Sequence, residues 1–127
     1  VANPDMITDI ILFHQKYGLQ YNEGPRILPE DLAEFRKQFM FEEAIEYADA
    51  CAINDKAEMF DALVDLVYVA LGTAYLHGFD FGEGWKRVHE ANMKKVRAKR
   101  VNESKRSTIY DVVKPEGWTP PDLTDMV

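Results

Sequence analysis

Apolar residues recur at helical spacing in four stretches of this chain, and no alternating run longer than a few residues competes with them. In the first stretch Ile7, Ile10, Ile11, His14 and Tyr17 share one face. Asn3-Pro4 precedes it as a cap with proline at the first helical position, and Gly18 ends it. A loop through Asn22, Gly24 and Pro25 leads to Pro29-Glu30-Asp31, where proline and acids suit a first turn. The second helix is predicted from there to about Cys51, with Leu32, Phe35, Phe39 and Ile45 turned toward the core. Asn54-Asp55 opens a third helix that His77-Gly78 closes. Asp80 caps a fourth, through Trp85, Val88 and Asn92 to about Arg97. Beyond Lys99 lie three of the six prolines, which predicts a mostly irregular tail docked by Tyr110, Val112, Val113 and Trp118. The expected fold is all-α: a helical catalytic domain over residues 1–98, with residues 99–127 docked on that same domain.

Charge breaks the apolar run of the third helix in two places only. From Met59 to Leu76 the chain reads MFDALVDLVYVALGTAYL, and Asp61 and Asp65 are its sole charges. A carboxylate buried in such a helix is costly unless a cation or strong hydrogen bonds compensate it. The second helix carries Glu42, Glu43 and Glu46. An antiparallel hairpin turning near Ile53-Asn54 sets Glu46 opposite Asp61, and Glu42 or Glu43 opposite Asp65. Helices packed ~8–10 Å apart leave a gap that such side chains can share with a metal. Glu43 and Glu46 are i,i+3 neighbours, and Asp61 and Asp65 are i,i+4 neighbours, so all four can face one point. Oxygen-only ligation favours a hard cation, Mg2+ or Mn2+. Redox di-iron bundles expect Glu-x-x-His on two helices, and no glutamate here has histidine three residues later.

Composition narrows the class further. A chain of 127 residues buries roughly two-thirds of its unfolded surface, enough for one modest core. The single cysteine, Cys51, leaves no intramolecular disulfide and fits a reducing compartment. No secretory pattern is read at the N-terminus, and no stretch is expected to span a membrane, so a soluble cytoplasmic protein is expected. Net charge is −7, yet residues 94–106 hold seven basic side chains against one acid. That strip suits nucleic acid or the phosphates of a small ligand. The overall negative charge disfavours a general nucleic-acid binder. The apolar face with Val64, Val67 and Leu71 is broad for four helices, which predicts a homo-oligomer whose subunits complete the bundle.

The EExxE at 42–46, the following DALVDLVYVALG, HEANMKKV at 89–96 and KPEGWTPPDL at 114–123 together carry a family resemblance. The chain resembles the all-α nucleoside triphosphate pyrophosphohydrolases, the MazG-like and phosphoribosyl-ATP pyrophosphohydrolase-like superfamily, over residues 10–123. The last two stretches are similar to those of short, often phage-encoded members. The resemblance implies a MazG-like bundle assembled as a homodimer or homotetramer. It also implies Mg2+-dependent cleavage between the α and β phosphates of a (deoxy)nucleoside triphosphate, giving monophosphate and pyrophosphate. Glu42, Glu43 and Glu46 match the family's EExxE, and Asp65 matches the aspartate that ends its ExxD. The glutamate expected three residues earlier is Ala62, whereas Glu58-x-x-Asp61 satisfies ExxD one turn before. The register favours Glu43, Glu46, Asp61 and Asp65 as ligands, with Glu58 peripheral and the fourth ligand left open.

On this reading Glu42 or Glu43 accepts the proton of the attacking water. Asn92 and Lys95 lie in the region that contacts the nucleotide in the resembled family. Asn92 shares the stripe of Trp85 and Val88, so its amide is expected to face inward. Lys94 is a weaker phosphate contact, since cations near a helix C-terminus also suit its dipole. His14 is a candidate base contact, although its place on the apolar face of the first helix favours a satisfied core histidine; Phe13, Tyr17, Phe39 and Tyr68 read as core. A purine deoxynucleotide such as dGTP or dATP is one expected substrate. The alternatives are phosphoribosyl-ATP and a non-catalytic helical regulator that binds nucleic acid or a partner through residues 94–106.

Overall fold

The structure, a computed structural model, describes residues 5–127. Four α-helices account for most of it: α1 (Met6–Lys16), α2 (Glu30–Ala52), α3 (Lys56–His77) and α4 (Phe81–Asn92). The all-α architecture expected from the periodicity is what forms. The chain divides into two compact units, one running to Phe81 and the other from Gly82 to Met126. The division falls between residues 81 and 82, so all of α4 after Phe81 groups with the C-terminal segment.

In the first unit, α2 and α3 form the antiparallel hairpin, and α1 packs on α3. Local chemistry sets the ends of each helix. Asp5 caps α1 by accepting from the Thr8 amide. Asn3-Pro4 lies outside the described residues. Pro29 stands at the N-cap of α2, and Asp55 caps α3 through the Glu58 amide at 3.1 Å. The last carbonyls of α3 are satisfied by the loop before α2. The Arg26 amide donates to His77 O, and Arg26 Nε donates to Leu76 O.

Gly78 ends α3 in the left-handed region at φ +75°. A Cβ there would stand 2.8 Å from the Gly24 carbonyl oxygen and 3.0 Å from that of Glu23. Gly78→Ala therefore combines a strained φ with a clash against backbone that holds the loop. A loss of about 2–3 kcal/mol is expected, read as a lower midpoint in urea with an unchanged slope.

The core of the first unit is thin. Ile10, Leu28, Ala50, Ala62, Val69, Leu71 and Leu76 are buried, whereas Phe35, Ile45, Phe60, Leu63, Val64 and Val67 are exposed. This corrects the expectation for Phe35 and Ile45. The buried stripe of α2 is instead Arg36, Glu43 and Ala50, spaced by sevens, so its α3-facing side is mostly polar. Phe13, Tyr17 and Tyr68, expected in the core, are also partly or largely exposed and pack against one another. An apolar groove of about 510 Å³ runs between α1 and α3, lined by Met6, Ile10, Leu63, Val64, Val67 and Tyr68 among others. By length and composition α3 is apolar enough to cross a membrane, with mean hydropathy of 1.5 over its most apolar window. That corrects the expectation that no stretch approaches a span, although the core helix of a soluble protein passes the same test.

In the second unit α4 stops at Asn92, not near Arg97. The amides of Lys94 and Lys95 turn back onto the carbonyls of Ala91 and Asn92. β-Branched Val96, Val112 and Val113 favour extended backbone. They form a two-residue antiparallel ribbon of β1 (Val96–Arg97) and β2 (Val112–Val113). Buried Ser104 donates to Asp111, which also pairs with Arg106, and Arg87 of α4 binds Asp125 and the Asp122 carbonyl. Trp118 docks as expected, but Tyr110 is 89 % exposed and Val112 is exposed too. Asp111 and Trp118 anchor the tail through polar atoms, and Val112 contributes through its ribbon pairing with Arg97 while its side chain stays exposed.

Candidate metal centre

Three carboxylates converge on the hairpin. One oxygen from each of Glu43, Glu46 and Asp65 lies within 4.8 Å of the others. The helix spacing explains the meeting. Glu43 and Glu46 are one turn apart on α2, and a turn at residues 53–55 brings Asp65 of α3 opposite them. Burial differs across the group: Glu43 is buried, Asp65 half-buried and Glu46 exposed. The site therefore has a dry floor and an open side.

The electrostatics are those of a cluster short of positive charge. Glu43 Oε2 is buried with no hydrogen-bond partner among the described residues, an arrangement that natural interiors rarely leave uncompensated. Burial is the main cause that pushes the Glu43 carboxyl up to about 7. Glu46, close enough to share a proton with it, adds to the shift, as do the charges of Asp65 and Glu42. Asp65 is also raised, by burial first and then by the neighbouring Asp61 and Glu46. Three carboxylates, one of them with a buried oxygen that no hydrogen bond satisfies among the described residues, fit a hard divalent cation by the chemistry of the donor set.

The other expected site residues lie around this group or elsewhere. Asp61 is exposed and acts on Asp65 as a charge and hydrogen-bond neighbour, outside the convergent three. Glu42 and Glu58 are exposed. His14 is only 2 % exposed; its Nδ1 donates to the Ile10 carbonyl at 2.8 Å, and its ring lies 4.5 Å from that of Tyr75. It has the contacts of a satisfied core histidine. Asn92, Lys94 and Lys95 belong to the second unit. Asn92 is exposed, which corrects the inward orientation expected for its amide, because the turn after α4 begins there.

Arg36 was not singled out by sequence reasoning. The residue is 8 % exposed, and among the described residues its guanidinium bonds neutral acceptors on α3, Thr73 Oγ1 at 3.1 Å and the Val69 carbonyl at 3.0 Å. Gly72 makes room for it, since a Cβ there would stand 2.8 Å from Arg36 Nη2 and 3.2 Å from His14 Cε1. Arg36 thus fastens α2 to α3 two turns from Glu43 on the same face. The seven-residue spacing from Glu43 was the signal available in the sequence.

The family model described as phosphoribosyl-ATP pyrophosphohydrolase matches residues 11–92, a span that takes in the second half of α1, all of α2, α3 and α4, and every carboxylate of the centre. No curated protein matches the chain.

Proposed function

From the premise that the chain belongs to the phosphoribosyl-ATP pyrophosphohydrolase family, and so is a nucleotide pyrophosphohydrolase, a hydrolase of acid anhydrides, we propose that it cleaves a (deoxy)nucleoside triphosphate between the α and β phosphates. The products are the monophosphate and pyrophosphate. The observation that carries this reading is the convergence of Glu43 and Glu46 of α2 with Asp65 of α3, with a buried, unpartnered oxygen on Glu43.

Glu43, Glu46 and Asp65 would hold Mg2+ or Mn2+, with Asp61 beside them to orient Asp65 or complete the set. A bound divalent ion supplies Lewis-acid polarisation of the phosphate oxygens and a lowered pKa for water. The chain's own residues do the rest. Glu43 presents a charge held in low dielectric, where its pull on a cation is strongest. Glu42, exposed and outside the convergent three, is the carboxylate left to accept the proton of the attacking water. Asn92, Lys94 and Lys95 are assigned to substrate phosphate and sugar contacts. The free thiol of Cys51 accords with a cytoplasmic setting.

The test is pyrophosphate release over the eight common ribo- and deoxynucleoside triphosphates and phosphoribosyl-ATP, with Mg2+, with Mn2+ and in EDTA. Release from one or more nucleoside triphosphates, lost in EDTA, is the expected outcome. Selective turnover of phosphoribosyl-ATP would move the assignment to the substrate in the family's name. Inactivity throughout, with tight DNA binding, would favour the regulator.

We also infer a homodimer or homotetramer. Leu63, Val64 and Val67 on α3 and Phe35 and Ile45 on α2 form more exposed apolar surface than one small domain leaves to water. Light scattering should give a mass of two or four chains at micromolar concentration. Val67→Asp should shift it toward one chain without loss of helical signal, whereas a monomeric parent would refute the inference.

A further inference from the structure

The KPEGWTPPDL stretch has so far served only to mark a resemblance, yet the second unit puts it to a specific use. Pro115 to Trp118 form a turn in which the Trp118 amide bonds the Pro115 carbonyl, and Gly117 takes the positive φ of +80° that a type II turn needs at its third position. The turn lays the indole against the end of α4, where Nε1 donates to the Ala91 carbonyl at 2.7 Å. Two lysines then meet over this one ring. Lys95 Nζ and Lys114 Nζ each lie 5.2 Å from the indole centroid. Neither ammonium has a carboxylate partner among the described residues, although Arg87, Arg100 and Arg106 of the same unit all do. Lys95 is half-buried in the turn that follows α4.

Two ammonium groups, each held against one anchored ring, keep two positive charges within reach of one extended polyanion. A ligand with several negative oxygens in a row gains charge-assisted hydrogen bonds from both groups. We propose that Lys95 and Lys114, held by Trp118, form a polyphosphate-binding clamp that takes the phosphate chain of the substrate. Trp118 is the positioning residue, and Lys114 is a contact that no motif of the helical domain supplies. The proposal rests on the pyrophosphohydrolase reading for the identity of its ligand, and its test is separable from that reading.

Trp85 and Trp118 are the two tryptophans of the chain, so in a Trp85→Phe background the indole emission reports on Trp118 alone. Titration of the full chain with inorganic tripolyphosphate, without divalent metal, should give a saturable change in emission. Lys114→Gln and Lys95→Gln should each weaken binding about tenfold. Lys114→Arg should restore it, and an unchanged emission maximum without ligand will show that the turn still holds its ring. In the Mg2+ assay Lys114→Gln should raise KM while leaving kcat near the parent value. Emission that ignores tripolyphosphate, or a Lys114→Gln protein that titrates and turns over like its parent, overturns the clamp. Tighter and more steeply salt-dependent binding of a single-stranded DNA oligonucleotide than of tripolyphosphate also overturns it. A protein that binds tripolyphosphate in this way but hydrolyses nothing would instead count against the catalytic assignment and leave the anion site standing.

Discussion

Glu43→Gln should release pyrophosphate on the order of 10²–10³-fold more slowly than the parent in Mg2+, and should nevertheless melt at a higher temperature in EDTA. Both effects come from one side chain. Glu43 is buried, its Oε2 is orphaned, and its carboxyl is pushed up to about 7 by burial and by the negative charges of Glu46, Asp65 and Glu42. In the metal-free protein near pH 8 the ionised form is therefore a destabilising charge. The amide keeps the shape, donates to a neighbouring carboxylate and removes a like-charge repulsion. The same exchange takes away the donor with the strongest hold on a cation. Glu42→Gln is the matched control. Glu42 is exposed, so its amide variant should lose turnover without the gain in metal-free stability. If Glu43→Gln is active, or melts lower than its parent in EDTA, Glu43 is not the buried anchor of a metal site.

Such opposed consequences for function and stability also explain which features the sequence could disclose. Helix ends were legible because they depend on neighbours in sequence: Asp55 caps through Glu58, and Gly78 takes the left-handed position that other residues avoid. The meeting of Glu43, Glu46 and Asp65 was legible because a tight hairpin turns register into geometry. Which α2 residues face inward was not. Helical periodicity alone puts apolar Phe35 and Ile45 inside, but the α3-facing stripe holds Arg36 and Glu43. Periodicity assumes that burial follows hydrophobicity, and a helix that buries Arg36 and Glu43 reverses that assumption. The same reversal hid Arg36, whose partners are a backbone carbonyl and a threonine hydroxyl more than thirty positions away. The end of α4 was missed for a different reason. Asn92 to Arg97 has helical composition, but Val96 is claimed by a strand partner sixteen or so residues later, which no local window contains. Asp61, expected as a ligand by register, stands one turn outside the convergent group as a neighbour of Asp65.

The stability of the protein should fall with rising pH when metal is chelated and stay nearly level when Mg2+ saturates it. A carboxyl whose folded pKa is near 7, against an ordinary 4.5, holds a proton in the native state that the unfolded chain has already released. Between those two values the native state binds more protons, so its stability declines as pH increases, and the contribution is gone once pH passes about 7. Asp65 is raised as well and acts in the same direction. Asp5, Asp122 and Asp125, which are exposed, and half-buried Asp111 are lowered by hydrogen bonds and ion pairs. They contribute stability above their ordinary pKa that is lost as pH falls through their lower folded values. Metal-free protein should thus be most stable in mildly acidic solution, between the two sets. Mg2+ would level the alkaline limb by binding the deprotonated cluster: each step up in pH removes a competing proton and tightens binding, which offsets the loss seen without metal. Thermal melts from about pH 5 to pH 8 in EDTA and in saturating Mg2+ should diverge, with the gap widest at the alkaline end. Calorimetric titration of Mg2+ near neutral pH, in buffers of different ionisation enthalpy, should show proton release from Glu43. Parallel melting curves with no released proton would mean that the carboxylates of the hairpin hold no metal, and the chemistry assigned to them would have to be sought elsewhere in the chain.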